Sequence, residues 1–398
     1  MLHSGSLLGR EIVALRIVNP TCRCALLALL WLAVGIAPAS AAQQVEADAA
    51  QSESSAAKPS ASAVDPAHLA QLQGACDSMV LDWVLANAGP LKGNAHSAGL
   101  RVAFTITAAE GWWDNGAGGK LVWHDAPAGN MHLRIFVSGL ADGRMLSGLA
   151  VHARLTDANG NAVSVPSDFG WYPLLNAYGG NLPLDADGSY SLHVTVEADS
   201  IEGRSEPVTV DFDAVEITHE LLGHLPLATD ISFAQEAELL RPGNAALSSA
   251  VTALWQQTAS GAEQTAGDYF IGYAAGDAAS ITPHRGAGPH RATLHALRFY
   301  TASAAAIFPR DARTGRVIPG LAVRADLISA DGKPAGGELL PFIHAPWFSF
   351  YEATLNAPPK AGYKLRVRFS PPSFRRWGRQ GERFAAPVDV EFGNVSLK

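Results

Sequence analysis

The chain of 398 residues is poor in cysteine and in charge, since it has 3 Cys and 17% of its residues are charged. Nucleotide-binding loops of the GxxxxGK(S/T) and GxGxxG types are missing, so nucleotide chemistry has no support. The formal net charge of -8 argues against nucleic-acid binding, which normally needs a basic face. Hydrophobic residues make up 48% of the chain, which is enough for packed cores, and the length predicts two or three domains.

The N-terminal residues 1–41 have the pattern of a secretory signal peptide. Three arginines precede an apolar run from Cys24 to Ala37, and Ala39-Ser40-Ala41 follows. This order is typical of a cleaved export signal, and the run is short for a transmembrane helix. We expect a periplasmic protein, with an uncleaved membrane anchor as the alternative. Cys76 would then be the one cysteine that remains, which excludes an intramolecular disulfide.

Residues 42–64 are rich in Ala, Ser, Gln and Glu and are predicted to form a flexible linker. A helix is predicted from Asp65-Pro66 to Gly89-Pro90, and a similar helical pattern starts at Asn244. Short alternating runs between glycine turns follow each helix, which predicts antiparallel β-sandwiches. The clearest runs are Val102–Ile106, His132–Val137, Leu149–Leu155, Ser191–Val196 and Val208–Phe212.

Four segments occur twice in the same order, which indicates an internal duplication. They are Gly148–Val151 with Gly320–Val323, Pro173–Ala177 with Pro341–Ala345, Gly188–Val194 with Ala361–Val367, and Pro207–Phe212 with Pro387–Phe392. We therefore predict an all-β fold of two tandem immunoglobulin-like antiparallel β-sandwich domains, each preceded by a helix. The predicted domains span residues 65–225 and 226–398, and each is expected to bury its own core.

Patterns typical of catalytic sites are weak in this sequence. His219 and His224 are five residues apart, about 140° around a helix, whereas the helical zinc-protease motif needs two His four residues apart. The sequence has no GxSxG motif for a nucleophilic serine. We therefore expect that the protein is not an enzyme.

Histidine and methionine are the remaining candidates for a functional site. Met131 and His132 begin a predicted strand, and His295 aligns with His132 in the second repeat. His124 is close in sequence, and His344 lies in the segment that starts at Pro341. These residues are candidate ligands for copper or iron, because imidazole and thioether groups bind these metals. The alternative is that each His is hydrogen-bonded in the core or exposed on the surface.

The order of segments in the second repeat resembles that of the periplasmic ferrous-iron transport proteins. The resemblance covers roughly residues 267–398 and, more weakly, 100–217. It depends on Tyr269–Gly272, His295, Leu340–Phe342, Gly362–Leu365, Ser370–Ser373 and Phe392. It implies immunoglobulin-like sandwiches, usually dimeric, that bind copper and assist iron uptake beside an inner-membrane iron permease. A pseudo-dimer of the two repeats or a homodimer is then expected.

Most metal ligands of that family are missing from this sequence. The early His of the family matches His132 and His295, but its Met-Pro-Met segment reads Tyr172-Pro173-Leu174 and Leu340-Pro341-Phe342 here. The acidic residue two positions after the early His is Arg134 in the first repeat. The resemblance therefore implies the scaffold with a degenerate copper or iron site.

Two functions from different classes remain open. The first is an exported accessory protein of ferrous-iron transport. The second is a non-enzymatic module that binds a protein or a glycan through exposed aromatic residues. The aromatic candidates are Trp112-Trp113, Trp171-Tyr172 and Trp347-Phe348. Packing in the core is the alternative role of these residues, and the cationic run around Arg375 and Arg379 is either a site for an acidic partner or a solvated hairpin.

Overall fold

A computed structural model describes residues 66–128, 130–184, 187–198, 205–222, 260–277, 303–344, 349–355, 357–358 and 361–397. The predicted signal peptide, the linker, the second helix and the boundary between the repeats lie outside these residues. Helix α1 spans Pro66–Asn87, as the sequence predicts, and a short helix α2 spans His219–Leu222. In the part of the chain that the structure describes, no helix is long and apolar enough to cross a membrane.

The first repeat consists of eleven strands among the described residues. They are β1 (Lys92–Ser97), β2 (Leu100–Ala108), β3 (Trp112–Asn115), β4 (Leu121–His124), β5 (Met131–Gly139), β6 (Val151–Asp157), β7 (Ala162–Ser164), β8 (Phe169–Trp171), β9 (Ala177–Leu182), β10 (Gly188–Val196) and β11 (Val208–Ile217). Four of the five predicted runs lie wholly within one of these strands, and the fifth, Leu149–Leu155, lies mostly in β6.

The second repeat contributes ten strands in the described ranges. They are β12 (Ser260–Ala266), β13 (Tyr269–Asp277), β14 (Ser303–Asp311), β15 (Arg324–Ile328), β16 (Pro334–Leu339), β17 (Phe342–His344), β18 (Ser349–Leu355), β19 (Tyr363–Phe369), β20 (Arg375–Trp377) and β21 (Val388–Val395).

These strands form four sheets. Sheet A has the order β1-β2-β5-β9-β8-β20-β3-β4, and sheet B has the order β11-β10-β6-β7. Sheet C has the order β12-β13-β14-β18-β17, and sheet D has the order β16-β15-β19-β21. The described strand pairs are antiparallel apart from β20 with β8, which is parallel.

Each repeat has its own main hydrophobic core. In the first, alternate side chains of sheets A and B, such as Val102, Ile135 and Val194, pack together and are fully buried. In the second, side chains of sheets C and D, such as Ile271 and Val367, do the same. The predicted all-β sandwich fold is therefore confirmed.

A matched tyrosine in each repeat supports the duplication. The hydroxyl of Tyr178 donates to one backbone carbonyl and accepts from one backbone N–H, and the hydroxyl of Tyr351 makes the same two bonds. The partners are Leu146 O at 3.0 Å and Leu149 N at 2.9 Å in the first repeat, and Ile318 O at 2.8 Å and Leu321 N at 3.0 Å in the second. The two tyrosines therefore fix the same turn in both halves.

Strand β20 belongs to the second repeat in sequence but lies inside sheet A. Arg376 is in register with Trp171 of β8 on one side and with Trp113 of β3 on the other. The repeats are consequently not independent, because β20 connects the β3–β4 hairpin to the rest of sheet A. Trp377 of β20 also belongs to a third core cluster, which it shares with side chains of the first repeat.

Helix α1 covers part of the outer face of sheet A. Val80, Leu81 and Val84 are buried against this face, which presents Ala103 and Phe136 there. These apolar residues recur at the spacing of one helix face, which explains why this segment is helical and packed. The remaining part of the same face is polar, and it contains the candidate site.

Candidate functional site

Strand alternation places Met131 and His132 on opposite faces of β5. Met131 points into the core between sheets A and B with Leu133 and Ile135. His132 and Arg134 lie on the outer face of sheet A, because successive side chains of a strand point to opposite sides. Met131 and His132 are thus neighbours in sequence that the structure does not bring together.

The imidazole of His132 is 0% exposed, and both of its nitrogens have hydrogen-bond partners. Nδ1 lies 2.9 Å from Oδ1 of Asn181, and Nε2 lies 2.8 Å from the hydroxyl of Tyr172. The amide of Asn181 is fixed by Glu110: Oδ1 accepts from the Glu110 N–H at 3.0 Å, and Nδ2 donates to the Glu110 carbonyl at 2.8 Å. His132 therefore carries its proton on Nδ1, and Nε2 accepts from Tyr172.

The electrostatics of this pocket favour a neutral imidazole. Burial, together with the nearby charge of Arg134, lowers the pKa of His132 to about 3, although the hydrogen bond to Asn181 acts in the opposite direction. Burial raises the pKa of Tyr172 well above its usual value, and the charge of Glu110 adds to this effect. Arg134 and Arg375 act in the opposite direction on Tyr172.

The second repeat supplies the cover of this pocket. The indole of Trp377 on β20 packs edge-on against His132, with 4.3 Å between ring centroids, and stacks on Tyr172 at 6.1 Å. Trp112 packs against Trp377 at 5.5 Å, and the guanidinium of Arg375 lies 5.3 Å from the Trp112 ring. We call the group of His132, Glu110, Arg134, Tyr172 and Asn181 under Trp377 the His132 pocket.

The His–Asn pair of the His132 pocket is not repeated at the matching positions of the described strands of sheet C. His132 pairs with Asn181 in sheet A, and the corresponding pair in sheet C is Ala304 with Thr354. The equivalence follows from the matched tyrosines, since Tyr178 pairs with Ile135 and Tyr351 pairs with Ile307. The register therefore aligns His132 with Ala304 and not with His295, which lies outside the described residues.

The other candidate ligands lie apart from His132. His124 stacks on Trp112 with 4.8 Å between centroids, and its Nε2 is 3.8 Å from a carboxylate oxygen of Asp114. The backbone of His344 ends β17, opposite Ser349, and its side chain is outside the description. Among the described residues, no group of three or more His, Cys, Asp or Glu could hold a metal ion.

Sequence reasoning missed Asn181 as a partner of His132, and it missed Glu110, whose backbone holds the Asn181 amide. Asn181 lies on the neighbouring strand, and Glu110 follows β2, so their proximity depends on strand register. Tyr172 had one signal, since it stands where the resembled family has methionine. The structure buries Trp171 and Tyr172, which are 2% and 3% exposed, so they do not form a surface patch.

The sequence matches no protein-family profile, and no curated protein matches it. Several solved structures are similar to part of the chain. A copper-bound variant of FetP from uropathogenic Escherichia coli is 17% identical, covers 34% of this chain and 95% of its own, and has a TM-score of 0.24. A copper-bound variant of the P19 protein of Campylobacter jejuni is 13% identical, covers 35% of this chain and 99% of its own, and has a TM-score of 0.23. These values assign the chain to no family.

Proposed function

We propose that the chain is an exported, periplasmic accessory protein of ferrous-iron transport that acts by binding and not by catalysis. The observation that carries the proposal is His132 itself. Its strand position matches the early His of the family that the sequence resembles, and its Nε2 lone pair faces inward toward a polar group. An inner-membrane iron permease is the proposed partner, and the two repeats, linked through β20, take the place of a homodimer.

The state of His132 supports binding over acid–base chemistry. A general base that works near neutral pH needs a pKa close to that pH, and the pKa of His132 is about 3. The imidazole is also covered by Trp377, so no substrate reaches it while β20 is in place. We therefore assign no catalytic role to this histidine.

Copper does not fit the donors around His132. Soft thioether ligands suit copper(I), and Met131 lies on the other face of the strand. The described hydrogen-bond partners of His132 are the Tyr172 hydroxyl and the Asn181 amide oxygen, and neither is an imidazole. Such donors suit a harder metal ion, which agrees with a role in iron handling.

Iron accumulation tests this function. Cells that lack the chain should take up less radiolabelled ferrous iron under iron limitation than cells that produce it. Production of the wild-type chain should restore uptake, and a His152→Gln variant should do so equally well, because that side chain is 68% exposed on sheet B. Equal uptake with and without the chain would overturn the proposal.

A second candidate function is binding of a protein or glycan at the edge of sheet A. The half-buried rings of Trp113 and Trp123 lie 5.2 Å apart, and Arg379 lies 4.4 Å from the Trp123 ring. Val122, on the edge strand β4, is 41% exposed. An aromatic and cationic surface of this kind is typical of an interaction site. This function would gain if a Trp123→Ala variant lost cross-linking to a cell-envelope partner while iron uptake did not depend on the chain.

A further inference from the structure

We propose that a cleft between the two repeats binds one ring of a neutral saccharide. The cleft has a volume of about 450 Å³, which is in the range of small-molecule sites. Its lining includes the carboxylates of Asp114 and Asp168, the guanidinium of Arg375, and the rings of Phe169 and Phe374. We call it the inter-repeat cleft. The proposal does not rest on the function in iron transport, and it involves no metal.

The cleft lies where β20 begins inside sheet A. Strand β20 starts at Arg375, which is in register with Gly170 of β8, and the chain enters the strand through Ser373. Strands β3 and β8 lie on the two sides of β20. Asp114 belongs to β3, and Asp168 directly precedes β8, so the two carboxylates flank this entry. Side chains of both repeats therefore line one opening.

Two matched glycines, Gly148 and Gly320, also line the cleft. They precede Leu149 and Leu321, whose N–H groups bind the matched tyrosines. Both glycines have a positive φ, 77° and 68°, which favours glycine over residues with a Cβ. A Cβ at Gly320 would lie 3.7 Å from the ring of Phe374. The duplication thus brings two turns without side chains to one place, which leaves room between the repeats.

The two phenylalanine rings give the cleft an apolar corner. Phe169 packs against the core of the first repeat, and Phe374 packs against the core of the second. Their centroids are 5.3 Å apart, and their planes make an angle of 79°. Both rings are half-buried, so part of each remains accessible in the cleft. The polarised C–H groups of a sugar ring pack favourably on the electron-rich face of an aromatic ring.

Polar side chains surround this corner. Asp168 and Arg375 are exposed, and the side chain of Asp114 is 42% exposed. The guanidinium of Arg375 lies 5.3 Å from the ring centroid of Trp112 and 6.0 Å from that of Trp377, and these rings position it. Carboxylate oxygens accept hydrogen bonds from sugar hydroxyls, and a planar guanidinium donates to two oxygens at once. The cleft therefore offers both acceptors and donors to a polyhydroxylated ring.

The charges of the cleft favour a neutral ligand. A cationic ligand would meet the like charge of Arg375, and an anionic ligand would meet those of Asp114 and Asp168. A neutral sugar uses both kinds of group, because each hydroxyl donates and accepts hydrogen bonds. A saccharide therefore fits the apolar corner and the mixed charges together.

Calorimetric titration of the full chain with neutral sugars tests the proposal. The probes are glucose, galactose, mannose, N-acetylglucosamine, maltose, cellobiose and lactose, and spermidine and citrate are the charged probes. We expect saturable binding of at least one sugar with a Kd in the millimolar range, because a single ring in an open cleft makes few contacts. The charged probes should bind more weakly than that sugar.

Two variants locate the site, and a third is the matched control. Asp168→Ala removes an exposed acceptor and should weaken sugar binding about 10–100-fold, as expected for a hydrogen bond to a charged group. Ser373→Trp fills the cleft from an exposed position and should abolish binding. Asp82→Ala removes an exposed carboxylate of α1 and should bind sugar as the wild type does. Circular dichroism establishes that each variant is folded.

Three results would overturn the saccharide site. The first is a folded wild-type chain that binds none of the sugars at millimolar concentration. The second is unchanged sugar binding in folded Asp168→Ala and Ser373→Trp, which would place the sugar elsewhere on the chain. The third is tighter binding of spermidine or citrate than of any sugar, lost in Ser373→Trp. Iron uptake is measured separately, so the cleft and the proposed function fail independently.

Discussion

At the scale of single residues, His132 shows how a buried polar group is kept in a sandwich at low cost. Its two hydrogen bonds satisfy both ring nitrogens, and aromatic rings exclude water from them. Burial of a polar group without such partners would destabilise the fold by roughly several kcal/mol. The same partners fix one tautomer, so the orientation of the imidazole ring is defined.

The pH dependence of stability follows from the low pKa of His132. The pKa is 6.5 for an unperturbed histidine and about 3 in the fold. Below pH 6.5 the unfolded chain takes up a proton that the folded chain does not, so stability falls as the pH drops toward 3. Because of this group, the free energy of unfolding changes by at most about 1.4 kcal/mol per pH unit. Urea unfolding measures the free energy of unfolding between pH 7 and 4. This free energy should depend less on pH in His132→Phe than in the wild type, whereas His152→Gln should keep the wild-type dependence. Parallel profiles for wild type and His132→Phe would contradict this prediction.

The matched tyrosines give a second prediction at this scale. Tyr178→Phe and Tyr351→Phe each leave a buried backbone N–H, of Leu149 or Leu321, without its acceptor. Each variant should lose about 1–3 kcal/mol of unfolding free energy, and the two losses should be similar. The denaturant midpoints of the two variants, compared with that of the wild type, measure both losses. Unchanged midpoints in both variants would show that the hydroxyls do not fix the turns.

Part of the His132 pocket could be predicted from single residues and part could not. His132 was a candidate because histidine is a metal ligand at a recognisable strand position. Sequence proximity also makes Met131 a candidate, but strand alternation places its side chain on the opposite face of β5. Asn181 and Glu110 could not be predicted, because the bonds from His132 to Asn181 and from Asn181 to Glu110 depend on pairing between segments far apart in sequence.

At the scale of elements, β20 decides how the pocket closes. It is three residues long, yet Arg376 and Trp377 are 0% and 1% exposed. Gly378, with φ of 77°, turns the chain directly after it. The strand therefore functions as a cover that the second repeat places over the first.

A double-mutant cycle tests the contact between this cover and the pocket. Trp377→Leu should cost about 3 kcal/mol, because a large buried ring is lost. The cycle with His132→Phe should show a coupling energy of about 0.5–1.5 kcal/mol, as for aromatic pairs in contact. The coupling energy is obtained from the unfolding free energies of the wild type, the two single variants and the double variant. Strictly additive losses would mean that the two rings do not interact.

The strands were largely predictable, and their long-range pairing was not. Alternation and glycine turns gave the positions of β2, β5, β6, β10 and β11. The two adjacent arginines of the segment Arg375–Trp377 predict a hairpin exposed to solvent. The segment is a buried strand because it inserts beside β8. The match of Pro173 with Pro341 was wrong, because Phe169 and Phe342 occupy the same place opposite Tyr178 and Tyr351.

At the scale of the whole molecule, a buried ion pair joins α1 to the second repeat. Asp77, 2% exposed, accepts from Arg316 Nη2 at 2.9 Å and from the Met145 N–H at 2.9 Å. Arg316 also donates to the carbonyl of Leu174. The helix, the first repeat and the second repeat therefore meet at one carboxylate.

Removal of this carboxylate should destabilise the molecule strongly. Asp77→Ala leaves the guanidinium of Arg316 buried without its charge partner, which costs about 3–5 kcal/mol. Asp82→Ala, on the same helix, breaks the exposed pair with Arg101 and should cost less than about 1 kcal/mol. Thermal unfolding compares the two variants. Equal losses would show that the Asp77 pair does not hold the repeats together.

The most direct test of the whole arrangement is nitrogen-15 NMR of the histidine side chains between pH 4 and 8. In the wild-type chain, His132 should remain a neutral imidazole with its proton on Nδ1 over this range, whereas in Trp377→Ala it should begin to titrate. A wild-type His132 that titrates near pH 6.5 would contradict a pocket closed by the second repeat.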